Sequence, residues 1–205
     1  MTIRSMFLAI AAALLAALIL APLMLPAQET SAEFLKARQE FVAGQLRPAA
    51  NTLLMASVHV RQEVGRSHDE VVGMKLLDAE GDLEKLASAL RSGSVASVKT
   101  LDQKLTAIDR LLAQHHLQRA SEVIAKPHVD EMPMLARDVD RAAFHFERSI
   151  TLDGHAVAAE QAKAIADARA LSGEIASTRA LPKTAAVVVQ ALQQLVVGPA
   201  VVAAR

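Results

Sequence analysis

The chain is predicted to be all-α, made of antiparallel helical hairpins that assemble into a bundle. Three observations carry that expectation. Val72, Leu76, Ala79, Leu83, Leu86 and Leu90 recur at alternating spacings of four and three, and the same rhythm resumes in Val98, Leu101, Leu105, Ile108 and Leu112, with His115 in the next slot. The break between the two runs is short and centred on Gly93, so two amphipathic helices should fold back on each other. Only 2% of the 205 residues are aromatic, with no Trp or Tyr, and the abundant Ala, Leu, Glu, Lys, Arg and Gln favour helix. On this reading Ser67 to Gln118 is the hairpin around which the rest is organised.

Residues 1–27 are a different material. Arg4 is their only charge, and Met6 to Leu25 is apolar apart from Pro22. A basic start, an apolar run and the small Ala27 describe a secretory signal cleaved before Gln28. The length of the run is the ground for the alternative, a retained membrane anchor over residues 6–25. In both cases Arg4 stays cytoplasmic and everything after it is exported, to the periplasm in a bacterium with two membranes. The chain has no Cys, so disulfides, an acylated lipoprotein cysteine and c-type haem attachment are all excluded. Lys plus Arg and Asp plus Glu each number 22, which leaves no electrostatic footprint for nucleic acid.

Residues 28–205 are expected to form a single helical domain, with helical parts at 31–126 and 134–197, a linker at 127–133 and a short tail at 198–205. A first helix should start near Ser31 and run through Phe34, Ala37 and Phe41 to a turn at Gly44. Pro48 suits the first turn of a second helix, which presents Ala49, Leu53, Ala56, Val60 and Val64 on one face and ends at Gly65. Ser67 and Glu70 have the spacing of a capping box for the third helix, Gly93 closes it, and Ser94 can cap the fourth. The fourth continues to Lys126 or breaks at His115-His116-Leu117, and Pro127 to Pro133 reads as a linker. Leu135, Val139, Ala142, Phe146 and Ile150 form the stripe of a fifth helix, with Phe144 nearly opposite it. Val157, Ala164, Ala168, Leu171 and Ile175 mark a sixth from about Ala156 to Thr178. Thr184 to Val197 is read as a last helix stopped by Gly198-Pro199, although Val187-Val188-Val189 has strand character.

Ala37, Phe41, Gly44, Ala49 and Ala56 follow the small-large-Gly-small-small spacing of a tetratricopeptide-type helical pair, and this part of the chain resembles that unit. The stretch from Ala37-Arg38 through Phe41, Gly44 and Ala49 is also similar to small exported helical bacterial proteins of the YfdX type. The resemblance covers one helix pair and implies an all-helical fold.

His115 and His116 are the most tempting candidates for chemistry, and with His145 or Glu147 they could ligate a metal or haem in a bundle. Adjacent histidines project about 100° apart on a helix, as its 3.6-residue turn dictates, and the chain has neither a His-x-x-x-His nor a Glu-x-x-His pair. The histidines are therefore expected to be hydrogen-bonded core or interface residues, with no metal and no cofactor. Gly65-Arg66-Ser67 lacks the second Gly and the preceding strand of a nucleophile turn. Asp78, Glu80 and Asp82 lack a calcium-loop spacing and read as a solvated face paired with Lys75 and Lys85. Arg137, Arg141 and Arg148 beside Asp138 and Glu147 are expected to pair within their own helix, and Phe144, Arg141 and Arg148 form a candidate partner surface.

No catalytic residue is expected. The reading is an exported non-enzymatic helical protein that binds another protein, binds itself or serves as a scaffold. The alternatives are a metal- or haem-binding bundle using His115 and His116, and a periplasmic stress-related holdase with Ala- and Val-rich C-terminal helices. Export has a direct test in protease treatment of spheroplasts carrying the tagged full-length protein. The chain should be degraded, and a protease-resistant cytosolic pool would overturn the reading. The mass of the N-terminal peptide then decides between a start at Gln28 and a retained anchor.

Overall fold

A computed structural model describes residues 28–95 and 97–198, so the expected signal or anchor over residues 1–27 and most of the expected tail lie outside the described residues. Among the described residues seven α-helices follow one another: α1 Gln28–Val42, α2 Leu46–Val64, α3 Glu70–Arg91, α4 Val98–Ala125, α5 Met132–Leu152, α6 Ala159–Thr178 and α7 Ala185–Val197. A 3-10 turn, Val129–Glu131, precedes α5, and there is no strand among the described residues, so Val187-Val188-Val189 is helical. None of these helices is long and apolar enough to cross a membrane.

Local chemistry sets the ends. Gly44 takes φ +75°, a conformation costly for any residue with a Cβ, so Gln45 N–H can reach back to Glu40 O at 2.8 Å and finish α1. Pro48 lies in the first turn of α2. Gly93 at φ +69° closes α3 in the same way, with Ser94 N–H on Ala89 O at 2.9 Å.

The caps differ from expectation at three starts. Asp69, not Ser67, caps α3: its carboxylate accepts from Val72 N–H at 2.9 Å, while Ser67 Oγ donates to Asp69 O. Ser97, not Ser94, caps α4 and accepts from Thr100 N–H, while Ser94 Oγ donates to Ala89 O at the end of α3. Helix α1 is already helical at Gln28, three residues before Ser31. Pro133 opens α5 rather than interrupting the chain, so the expected 127–133 linker shrinks to the few residues before the 3-10 turn.

Helix α4 is unbroken through His115-His116-Leu117 and has 28 residues, a length of about 42 Å at 1.5 Å per residue. Two apolar clusters are strung along it. Leu101, Leu105, Ile108 and Leu112 pack with Phe34, Ala37, Leu53, Val60, Leu76, Leu83 and Leu90 of α1 to α3. Ala113, Leu117, Ala120 and Val123 pack with Leu135, Val139, Phe146, Ile165, Leu171, Ile175 and Leu192 of α5 to α7.

Every pairing that side-chain bonds can orient is antiparallel. Thr52 bonds Glu40 and His59 bonds Glu33 between α1 and α2, while Arg91 bonds Asn51 and Arg61 bonds Glu80 between α2 and α3. The hairpin expected from the seam residues is only partly realised. Helices α3 and α4 do run antiparallel, tied by Gln118 on Asp69 and Lys104 on Asp82, but the main partner of α3 is α2 and that of α4 is α5. The reason is that α4 buries two stripes. Beside the expected one runs Asp102, Thr106, Asp109, Ala113, His116, Ala120 and Val123, which α5 and its neighbours cover.

Leu83 and Leu105 are fully buried in the first cluster, so Leu83→Ala and Leu105→Ala should each cost about 2–5 kcal/mol through lost transfer energy and a residual cavity. Exposed Glu84 and Lys104 should accept Ala within about 0.5 kcal/mol. Urea melts of the four variants check this. Equal losses at buried and exposed positions would contradict the packing described.

Candidate functional site

Between the two apolar clusters lies a layer of buried titratable groups. Three helices supply it for reasons visible in their patterns. On α2, Glu63 continues the buried series Leu53, Ala56 and Val60 by three residues, so a carboxylate occupies a core position. On α4 the two buried stripes bring in His115, Asp109 and His116. On α5, Asp138, Arg141, His145 and Arg148 recur at helical spacing and form a polar stripe beside the apolar one.

The pairs are specific. Asp138 accepts from the His116 Nδ1–H at 3.0 Å, and Asp109 accepts from the His145 Nδ1–H at 2.9 Å. His115 Nε2 lies 3.3 Å from Glu63 Oε2. Glu63 also receives Arg66 at 2.6 Å, Arg141 at 3.5 Å and Arg119 at 3.6 Å. Arg119 reaches Asp138 at 3.4 Å, and Arg148 reaches Asp109 at 3.3 Å. The rings of His116 and His145 stack 5.7 Å apart, and His115 lies 5.2 Å from His116.

Burial drives the electrostatics. Removal from water pushes the His116 imidazole down to about 4, against the pull of the Asp138 and Glu63 carboxylates, so it is neutral at pH 7. For Glu63 burial acts upward, but the His115 hydrogen bond, the His116 charge once that ring protonates in acid, and the charges of Arg66 and Arg141 together outweigh it and hold the carboxyl below its ordinary range. Burial lowers Arg141 and Arg148, with Glu63 and Asp138 opposing at Arg141 and Asp109 at Arg148, and both remain cations.

All three candidate histidines, His115, His116 and His145, are thus buried and partnered in one layer. Glu63 joins them. The ligand-capable atoms of Glu63, His115 and His116 lie within 4.8 Å of one another, so the 100° divergence of adjacent histidines does not keep these two apart. His145 and Glu147 are not in that group: His145 serves Asp109, and Glu147 pairs with Arg169 at 2.6 Å on the surface.

The candidate partner surface is redistributed. Arg141 is buried and pairs across to α2, Arg148 is largely covered and lies over the Phe34 ring, and neither pairs within α5 as expected. Phe144 is half-buried and lines a 420 Å³ surface cavity with Leu35, Arg38 and Arg148. Glu80, expected on a solvated face, is buried and bound by Arg61 at 2.6 Å, while Lys85 does pair with Asp82 at 3.4 Å. Sequence reading missed Glu63, Arg119 and Asp109, and misplaced Glu80. For Glu63 the signal was available, as an acid in register with an apolar stripe.

No family model matches the chain, and no curated protein or solved structure is significantly similar to it.

The depressed His116 makes a pH prediction. The unfolded imidazole takes up a proton near 6.5 and the folded one only near 4, so stability is complete above pH 6.5 and falls as the pH drops through that window. The shift corresponds to roughly 3 kcal/mol by linkage, and the depressed Glu63 adds to the decline below its ordinary pKa. Urea midpoints at pH 7.5, 6, 5 and 4 should therefore fall progressively, and His116→Asn should flatten the slope between pH 6.5 and 4.5. An unchanged slope in that variant would refute the assignment.

Proposed function

We propose that this is an exported, non-enzymatic helical protein that acts by docking an amphipathic helix of another protein. The observation that supports this reading is an apolar row on the outer face of α3. Met74 and Leu77 are 60% and 51% exposed, and Gly81 follows at the next helical step. Val71, 60% exposed, flanks the row, and Met55 and Val58 of the neighbouring α2 are also exposed. A Cβ at Gly81 would meet nothing within 4 Å, so nothing inside the described chain requires glycine there. In a helix interior Gly costs about 0.5–1 kcal/mol relative to Ala, and a small residue beside two apolar ones lets a second helix approach closely. Adaptable Met side chains suit such a groove.

A metal-binding reading has one observation in its favour, the convergence of Glu63, His115 and His116. Against it stand Arg66, Arg119 and Arg141, all within 3.6 Å of the same carboxylate. A divalent cation placed there would face three guanidiniums in a region of low dielectric. The holdase reading draws on the exposed Val187 and Val197 of α7.

The test places a photo-crosslinking amino acid at Leu77 of the full-length protein in its native host. One discrete heterologous product is expected. A diffuse ladder of products would favour the holdase, and a product at twice the chain mass would replace the partner with a second copy. Gly81→Ala should raise stability by about 0.5–1 kcal/mol in urea while reducing the crosslink, a combination that a purely structural glycine would not give.

A further inference from the structure

We propose that the cavity over the buried layer, between α4 and α5, is a binding site for a doubly charged tetrahedral oxyanion, a phosphate or a small phosphomonoester. The cavity has a volume of about 180 Å³ and is lined by Arg66, Arg119, Met134, Arg137, Asp138 and Arg141. One water needs roughly 10–15 Å³ of such space, so a small oxyanion has room here.

Charge selects the ligand. Four guanidiniums face the cavity, and the carboxylates that they touch, Glu63 and Asp138, number two, which leaves a surplus of two positive charges. His115 and His116 lie behind these carboxylates and bond to them, and His116 is neutral at pH 7. The adjoining cavity, which shares Arg119 and Met134, carries Lys126 against Glu122 and Glu131, one acid in excess, so the positive surplus is confined to the arginine cavity.

Position points the same way. Arg141 is only 8% exposed and its Nη1 lies 3.5 Å from Glu63. Arg119 reaches Asp138 through its Nε at 3.4 Å and Glu63 through its Nη1 at 3.6 Å. The carboxylates beneath hold both guanidiniums in place, so their geometry is set before any ligand arrives. Arg66 and Arg137 stand exposed at the rim, where they can close on the bound anion.

The experiment is calorimetric titration of the full-length protein with inorganic phosphate at pH 7, with acetate and chloride as companion titrants at matched ionic strength. One saturable phosphate site per chain is expected, together with a phosphate-dependent rise in Tm. Arg137→Gln, at an exposed position that the fold does not need, should weaken phosphate binding at least tenfold. Arg47→Gln, the same charge change at an exposed position outside the cavity, should leave it within twofold. Arg141→Lys supplies a second variant that keeps the charge and loses the fork, and it should weaken binding while the helical circular dichroism persists. Absence of a saturable phosphate response would overturn the proposal, as would equal losses in Arg137→Gln and Arg47→Gln. Tighter binding of acetate would overturn the phosphate assignment.

Discussion

The rest of the structure depends on the need to give each buried carboxylate of one layer a partner. Glu63, Asp109 and Asp138 lie in the interior beside four arginines and three histidines, and none of these acids could be buried alone. Removing one partner of such a pair costs about 3–5 kcal/mol, whereas replacing the whole pair by apolar groups is often neutral. Such a layer therefore contributes less to net stability than to register. Sliding α4 by one turn against α5 would separate His116 from Asp138 and Asp109 from His145 together, and sliding α2 would leave Glu63 without His115. The layer also explains why there are two apolar clusters along α4, since a polar stratum divides what would otherwise be one core.

Much of the fold was legible because helix ends are local events. Gly44, Gly93 and Gly198 each sit at a helix C-terminus with positive φ, and the periodic Leu and Ala positions chosen from sequence are buried apart from the half-buried Ala164. What periodicity does not record is the identity of the covering helix. The stripe of α3 fits α2 or α4 equally well, and the choice fell to α2 because α4 has a second buried stripe that engages α5. Capping was misplaced for a related reason. Ser67 and Asp69 are both competent caps, and the carboxylate at Asp69 both bonds Val72 N–H and complements the helix dipole.

The site was less legible than the fold. His115, His116 and His145 stood out as rare residues in an aromatic-poor chain, and all three are in the layer. Their partners did not stand out, because acids and arginines on a helix are ordinarily solvent-facing and pair with neighbours three or four residues away. Asp138, Arg141, His145 and Arg148 share a face at that spacing, yet each finds its partner across an interface, on α2 or α4. An intrahelical explanation was available for every one of them, and it concealed the long-range pairing.

The sign of the field in this layer bears on what the protein can hold. A cation seated among Glu63, His115 and His116 would add to guanidiniums that already outnumber the acids they touch. An anion at the arginine cavity would instead offset them. The two ligands also act oppositely on His116. Metal ligation requires a neutral imidazole and would lower its proton affinity further, whereas a bound oxyanion nearby would raise it. By reciprocity, protonation of His116 near pH 4 would then strengthen the binding of an anion of fixed charge by the same factor. Acidification weakens the fold in this arrangement because one imidazole is held neutral by burial against its carboxylate partner.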